Sequence, residues 1–294
     1  MGCCSDLSDI SLFPKPEYHF ENYAELSKER QRLLFIPKTV SNGQIDYIPC
    51  FFNNSVYIGF RPNFLIFFHG NGEDIFLISN LMNVLESSLK MTVISVEYPG
   101  YSIYRNQANT NQNIRDIILN DSLIVYDKIK EIFAISDNSI FILGRSIGCV
   151  PATHLASKRN PGGLFLVSAF TSIKEVVNNH SFNLGGIFVK AEFETNKYIK
   201  DVKCPILLIH GIKDKLIPFE HSNKLFNEIK SEIRECHFVE EMTHDKYDPY
   251  EDIIAPIDSF LKKYKLIKNI RIFDFDLDDI KEFIIPINLN NYYK

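Results

Sequence analysis

Short apolar runs rich in β-branched residues alternate along this chain with longer stretches in which apolar residues recur every three or four positions. Phe64–Phe68, Thr92–Val96, Ser139–Leu143, Gly163–Val167, Pro205–Ile209 and Glu235–Val239 have the length of strands. Ile114, Ile118, Val125, Ile129 and Ile132 fall at helical spacing in one long helix, and Ile253, Ile257, Phe260 and Leu261 do the same in another. This is the pattern of parallel strands joined by crossover helices, an α/β class. The near-continuous hydrophobicity of the central strands predicts a sheet covered on both faces. Residues 44–60 read as an antiparallel edge hairpin leading in.

No internal repeat is evident, and nothing has the composition of an interdomain linker. Residues 172–200 form the longest insertion between strands and carry Phe182, Leu184, Ile187, Phe188 and Phe193 among polar residues, a composition suited to covering a site. The expected organisation is an N-terminal segment over residues 1–20, a main domain over 21–265 that includes the lid-like insertion 172–200, and a C-terminal extension over 266–294. That extension is expected to be a peripheral strand or packed segment, with no role assigned.

Composition narrows the function classes. The 294 residues fit one large α/β domain as well as two, and 24 Phe with 14 Tyr supply ample apolar surface for a core. Thirty-two Lys+Arg against 37 Asp+Glu give a formal charge of −5, which argues against a nucleic-acid binder held by a basic surface. Cys50, Cys149, Cys204 and Cys236 are scattered through apolar segments and read as buried free thiols of a reduced compartment, not as a disulfide framework. No Cys/His ligand spacing appears, so neither a metal nor a cofactor is expected. No run approaches the roughly 18 apolar residues of a membrane span, and the N-terminus lacks the basic and apolar regions of a signal peptide.

The first residues, Met1-Gly2-Cys3-Cys4-Ser5-Asp6, nevertheless suggest a covalent anchor. Adjacent Cys3 and Cys4 are candidates for S-acylation. Gly2 would accept a myristoyl chain, but Asp6 stands where that motif wants Ser or Thr, and Ser5 comes one position early. Two acyl chains hold a protein stably on a membrane where one holds it only marginally. The charges nearby are mixed, so lipid must supply both signals. The expected location is the cytoplasmic face of a membrane, with the body peripheral to it.

The run Ser139–Leu143 leads straight into Gly144-Arg145-Ser146-Ile147-Gly148 and then into a helical stretch with small residues at Ala152 and Ala156. This is G-x-S-x-G in its strand–turn–helix setting, where a nucleophilic serine stands on a tight turn. Side chains in place of the two glycines would collide with the strand and the helix. The helix N-terminus beneath the turn adds positive potential where an oxyanion would form.

A serine hydroxyl needs a base, and the base an orienting acid, in the chain order Ser, Asp/Glu, His. Asp214 follows the strand Pro205–Ile209, and His244 follows the strand Glu235–Val239. Both lie past strand ends, the edge on which open α/β sheets gather ligands. The other seven histidines have more ordinary placements: His19 in the N-terminal extension, His154 and His221 in helices, His180 in the insertion and His237 in a strand, while His69 and His210 precede glycines at strand ends and are expected to fix loops by hydrogen bonding. Glu175 is the main rival to Asp214 as the acid. The oxyanion hole is expected from the backbone N–H of Ile147 and that of Asn71, in the loop His69-Gly70-Asn71-Gly72, with Gly72 as the neighbour able to replace Asn71.

With these residues in place, the stretch from about Leu12 to Leu261 resembles the α/β-hydrolase superfamily, and within it the membrane-tethered protein depalmitoylase branch. The resemblance rests on Phe13-Pro14-Lys15-Pro16-Glu17-Tyr18, Phe68-His69-Gly70-Asn71-Gly72-Glu73-Asp74, Glu97-Tyr98-Pro99-Gly100-Tyr101-Ser102, Phe170-Thr171-Ser172, the Asp214 and His244 segments and, most specifically, Gly144-Arg145-Ser146-Ile147-Gly148-Cys149-Val150-Pro151. Ser102 stands where the branch has glycine, Arg145 differs from its elbow residue, and the cysteine cluster is shorter.

The resemblance implies an α/β-hydrolase fold with a mostly parallel sheet of about eight strands and helices on both faces. It also implies a serine thioesterase that removes long acyl chains from S-acylated membrane proteins; from the insertion's own composition, Phe182, Leu184, Ile187 and Phe188 are expected to line the chain's groove. Acylglycerols, lysophospholipids or other carboxylic esters are the alternative substrates, because the carbonyl chemistry is shared. A lipid-anchored scaffold without activity is a further alternative, disfavoured by the complete set of triad residue types.

Overall fold

The computed structural model describes residues 33–40, 43–53, 63–104, 113–180 and 193–267, with residues 178–180 described in backbone only. Eight strands form a single sheet: β1 (Leu33–Thr39), β2 (Ile45–Asn53), β3 (Phe64–Phe68), β4 (Thr92–Val96), β5 (Ile140–Arg145), β6 (Gly163–Val167), β7 (Ile206–Gly211) and β8 (Arg234–Val239). Their spatial order is β1-β2-β4-β3-β5-β6-β7-β8. β1 pairs antiparallel with β2, and β2 with β4, while every pairing from β4 across to β8 is parallel.

The predicted strand runs reappear with small shifts at their ends. The edge hairpin begins at Leu33, eleven residues earlier than the sequence reading placed it, because the apolar run Leu33-Leu34-Phe35-Ile36 is itself the outer strand. Residues 54–60 of that expected hairpin lie outside the described residues. β5 starts at Ile140, since Asp137–Ser139 form a single 3₁₀ turn, and it continues through Gly144 and Arg145, which pair with Leu166 and Val167. Ladder hydrogen bonds thus outlast the hydrophobic run, so the strand carries the first two residues of the serine motif.

The helices between strands pack on both faces, as expected. Alternate residues of each central strand point to opposite cores: Phe64, Ile66 and Phe68 of β3 to one, Leu65 and Phe67 to the other. The first core is closed by α2 (Ile114–Ile132), through Ile118, Val125 and Ile129, and by α3 (Cys149–Lys158), through Val150, Ala152 and Leu155. The second is closed by α1 (Ser79–Leu89), through Met82, Leu85 and Leu89, and by the last helix, Ala255–Lys263, through Ile257, Phe260 and Leu261. Cys50, Cys149 and Cys204 are buried free thiols as anticipated, whereas Cys236, on the half-buried edge strand β8, is only partly covered. No helix among the described residues is long and apolar enough to cross a membrane.

This topology decides where a site can form. From β3 the chain moves outward to β4, then crosses back through α2 to lay β5 on the other side of β3. Loops leaving the carboxyl ends of β3 and β5 therefore diverge to opposite faces and open a crevice between them. The loop 69–72 and the turn at Ser146 are those two loops.

Candidate active site

Ser146 begins the turn between β5 and α3 with φ +54°, a left-handed conformation that costs a non-glycine residue about 1–3 kcal/mol unless its surroundings enforce it. The surroundings do. A Cβ on Gly144 would lie 2.6 Å from the Gly148 carbonyl oxygen and 2.8 Å from the Ala152 Cβ; one on Gly148 would lie 2.1 Å from the Phe68 carbonyl oxygen at the end of β3. The turn is therefore wedged between its own helix and the neighbouring strand. That wedge seats Gly148, the residue after Ile147, against Phe68 and His69 at the start of the loop containing Asn71.

Asp214 and His244, 30 residues apart in sequence, meet at the same sheet edge: His244 Nδ1 lies 2.8 Å from Asp214 Oδ2, with both residues buried. The other carboxylate oxygen accepts the N–H groups of Leu216 at 2.9 Å and Ile217 at 2.8 Å, so the acid is fixed by its own loop. Burial pushes the Asp214 carboxyl up. The His210 ring at 3.6 Å and the bonded His244 outweigh it and hold the carboxyl well below the ordinary carboxylate range. An ionised Asp214 can only accept, so Nδ1 of His244 carries the proton and Nε2 keeps its lone pair. Among the described residues no hydrogen bond reaches the Ser146 hydroxyl. Contacts of this kind commonly tighten only when substrate is bound.

Among the described residues, His69, His154, His210, His221 and His237 sit where the sequence placed them. His210 is spent on Ser222 at 2.7 Å and on the Ile217 carbonyl at 2.8 Å, bracing the Asp214 loop. His221 bonds Thr171 at 2.8 Å from its place on the helix Glu220–Glu228. His69, wholly buried, places Nε2 3.1 Å from Glu97. Glu175, the rival acid, is turned instead to Lys224 at 2.9 Å.

The loop after β3 is held by a scaffold that sequence reasoning did not find. Besides His69, Glu97 accepts the N–H groups of Tyr98 at 2.9 Å and Ile75 at 3.3 Å and the Ser102 hydroxyl at 2.5 Å. Tyr98 donates its hydroxyl to the His69 carbonyl at 2.8 Å, and Tyr101 donates to the Asn71 side-chain oxygen at 2.7 Å. Ser102 has φ +32°, a glycine-favouring conformation, at the position where the resembling branch has glycine; its hydroxyl bond to Glu97 is what the serine adds. The signal in the sequence was Glu97 itself, a carboxylate directly after the strand run Thr92–Val96, where burial demands partners. The Gly70 N–H is taken by Glu73 at 2.7 Å, so Gly70 is not an oxyanion donor.

Phe193, predicted to help cover the site, is buried in the first core, and the backbone there closes by a bridge between Ser172 and Glu194. Phe182, Leu184, Ile187 and Phe188 lie outside the described residues, as do Gly2, Cys3 and Cys4. No group of metal-ligating side chains is present among the described residues.

A crevice at the switch point of a mostly parallel sheet, with a serine on a strained turn and an Asp–His pair two and three strands away, is the architecture of the α/β hydrolases. Comparison with known proteins agrees. Mouse α/β hydrolase domain-containing protein 10 superposes with a TM-score of 0.53 at 16% identity, over 79% of this chain and 99% of that one. In sequence, protein L404 of Acanthamoeba polyphaga mimivirus, named as an α/β hydrolase, is 25% identical over 237 residues, 78% of this chain and 82% of L404. Human α/β hydrolase domain-containing protein 17B is 24% identical over 234 residues, 76% of this chain and 78% of that protein. No protein-family model matches. The chain has the α/β-hydrolase fold, and the sequence relatives it matches are α/β-hydrolase-domain proteins.

Proposed function

We propose that this protein is a serine hydrolase that cleaves long-chain acyl thioesters from S-acylated membrane proteins. The observation that carries the hydrolase part is the 2.8 Å Asp214–His244 contact on the sheet edge where Ser146 stands at φ +54°. In this reading Ser146 Oγ attacks the thioester carbonyl while His244 Nε2 takes its proton, and Asp214 steadies the imidazolium. The Ile147 and Asn71 amides receive the developing oxyanion. Collapse expels the cysteine thiolate, which takes the proton from His244, and leaves an acyl-serine. His244 then activates a water, which releases the fatty acid and restores the hydroxyl.

The thioester preference rests on the resemblance of the elbow and its flanking segments to the depalmitoylase branch, and on Cys3 and Cys4. Acylation of those cysteines would keep enzyme and substrate on one surface and raise their effective concentration. A fluorophosphonate probe tests the chemistry: wild type is labelled and Ser146→Ala is not. Turnover of a palmitoyl-cysteine peptide against a monoacylglycerol tests the substrate. Faster cleavage of the glycerol ester would replace the thioesterase reading with a lipase.

A further inference from the structure

Arg145, the residue immediately before Ser146, is a charged side chain at the end of a buried strand, only 8% exposed. Its guanidinium spans two separate loops. Nη1 donates to Glu73 Oε1 at 2.7 Å, and the other oxygen of that carboxylate takes the Gly70 N–H at 2.7 Å. Nη2 donates to the backbone carbonyl of His244 at 2.8 Å, and the Tyr247 ring lies 5.1 Å from the guanidinium carbon. Gly70 makes room for this: a Cβ there would lie 2.8 Å from Nη1 and 2.9 Å from Glu73.

One side chain thus links the loop proposed to hold the oxyanion to the loop that carries the proposed base, and it grows from the turn that carries the nucleophile. Stability is a poor reason for such an arrangement. Buried ion pairs frequently contribute little against an apolar replacement, and Arg145 Nε is buried with no hydrogen-bond partner among the described residues, which costs free energy. What the bridge supplies is distance: an oxyanion donor and a base must address the same carbonyl, and an error of about 1 Å in such a geometry can cost on the order of 10²-fold in rate.

We infer that Arg145 is a positioning residue, whose bridge from Glu73 to the His244 carbonyl sets the spacing between the oxyanion loop and the general base. The inference rests on the serine-hydrolase reading. Arg145→Gln cannot reach both acceptors, Arg145→Lys reaches one at a time, and Glu73→Gln weakens the same bridge from the other end. The full-length proteins are compared on p-nitrophenyl octanoate and by the rate of fluorophosphonate labelling, with melting temperature and near-ultraviolet circular dichroism recorded alongside.

For Arg145→Gln the expected result is a kcat lower by about 10- to 100-fold with KM within about twofold, and labelling slowed to match. The fold signals stay near wild type, and Arg145→Lys recovers part of the loss. Combining Arg145→Gln with Glu73→Gln should cost less than the product of the separate losses, because either change breaks the same bridge. Equal labelling rates in wild type and Arg145→Gln would overturn the inference, as would a loss that only follows the folded fraction. Should Arg145→Gln not fold, unchanged kcat in both Arg145→Lys and Glu73→Gln overturns it equally well. Wild type that takes no label on Ser146 would instead overturn the serine-hydrolase reading, so the two failures are distinct.

Discussion

Asp214 shows how much of the proposed site depends on a single carboxylate. Three hydrogen bonds converge on it, from two backbone amides of its own loop and from His244. Replacing it by asparagine removes the charge and disrupts the tautomer that leaves Nε2 basic. Asp214→Asn is expected to lower kcat by roughly 10³- to 10⁴-fold with a smaller change in KM, read on any activated acyl ester. The same carboxyl gives a pH signature. Its folded value lies below the ordinary 3.8, so below that pH the unfolded chain binds more protons than the native one. Its stabilising contribution is complete above about pH 5 and is lost as the pH falls through the folded value. The urea midpoint of wild type should therefore approach that of Asp214→Asn as the pH drops from about 5 to about 2.

Elements matter through the sheet that holds these residues in register. β5 is buried along its whole length, and its last residue is the bridge residue Arg145. Beneath the crevice, Phe141 of β5 stacks on Phe165 of β6 with ring centroids 6.1 Å apart, and Phe165 meets Phe260 of the last helix edge-on at 6.2 Å. Truncating the middle of this stack leaves a cavity that close-packed neighbours cannot fill. Phe165→Ala is expected to cost about 3–5 kcal/mol, seen as a lower urea midpoint at unchanged slope. Much at this scale was legible from sequence, because strand and helix periods are local properties. The outer strand Leu33–Thr39 was not, since its pairing with Ile45–Asn53 is a contact between segments with no alternating pattern to mark it.

For the whole molecule the question is how the proposed hydrolase would meet its proposed acylated substrates. In the proposed function, membrane attachment is assigned to Cys3 and Cys4. Cys3→Ser with Cys4→Ser is expected to move the protein from the membrane to the soluble fraction while leaving its turnover of a short soluble ester unchanged. Continued membrane association of the double variant would direct attention to Gly2 or to the folded body. The apolar residues proposed to hold the chain, Phe182, Leu184, Ile187 and Phe188, lie in sequence between the helices Ile173–His180 and Asn196–Ile199.

Sequence alone determined the class of fold, the strand–turn–helix that raises Ser146, and the identities of Asp214 and His244 as residues following strand ends. All of these are written in hydrophobic period and in glycine spacing, which act over a few residues. Tertiary structure decided the rest: that Asp214 turns to His244 while Glu175 turns to Lys224, that Glu97 collects the amides around His69, and that Arg145 joins Glu73 to the His244 loop. Each of those is a choice of partner by a buried polar group. Such a group must be satisfied by whatever donor or acceptor the folded chain brings within about 3 Å, and that neighbour can lie anywhere in the sequence.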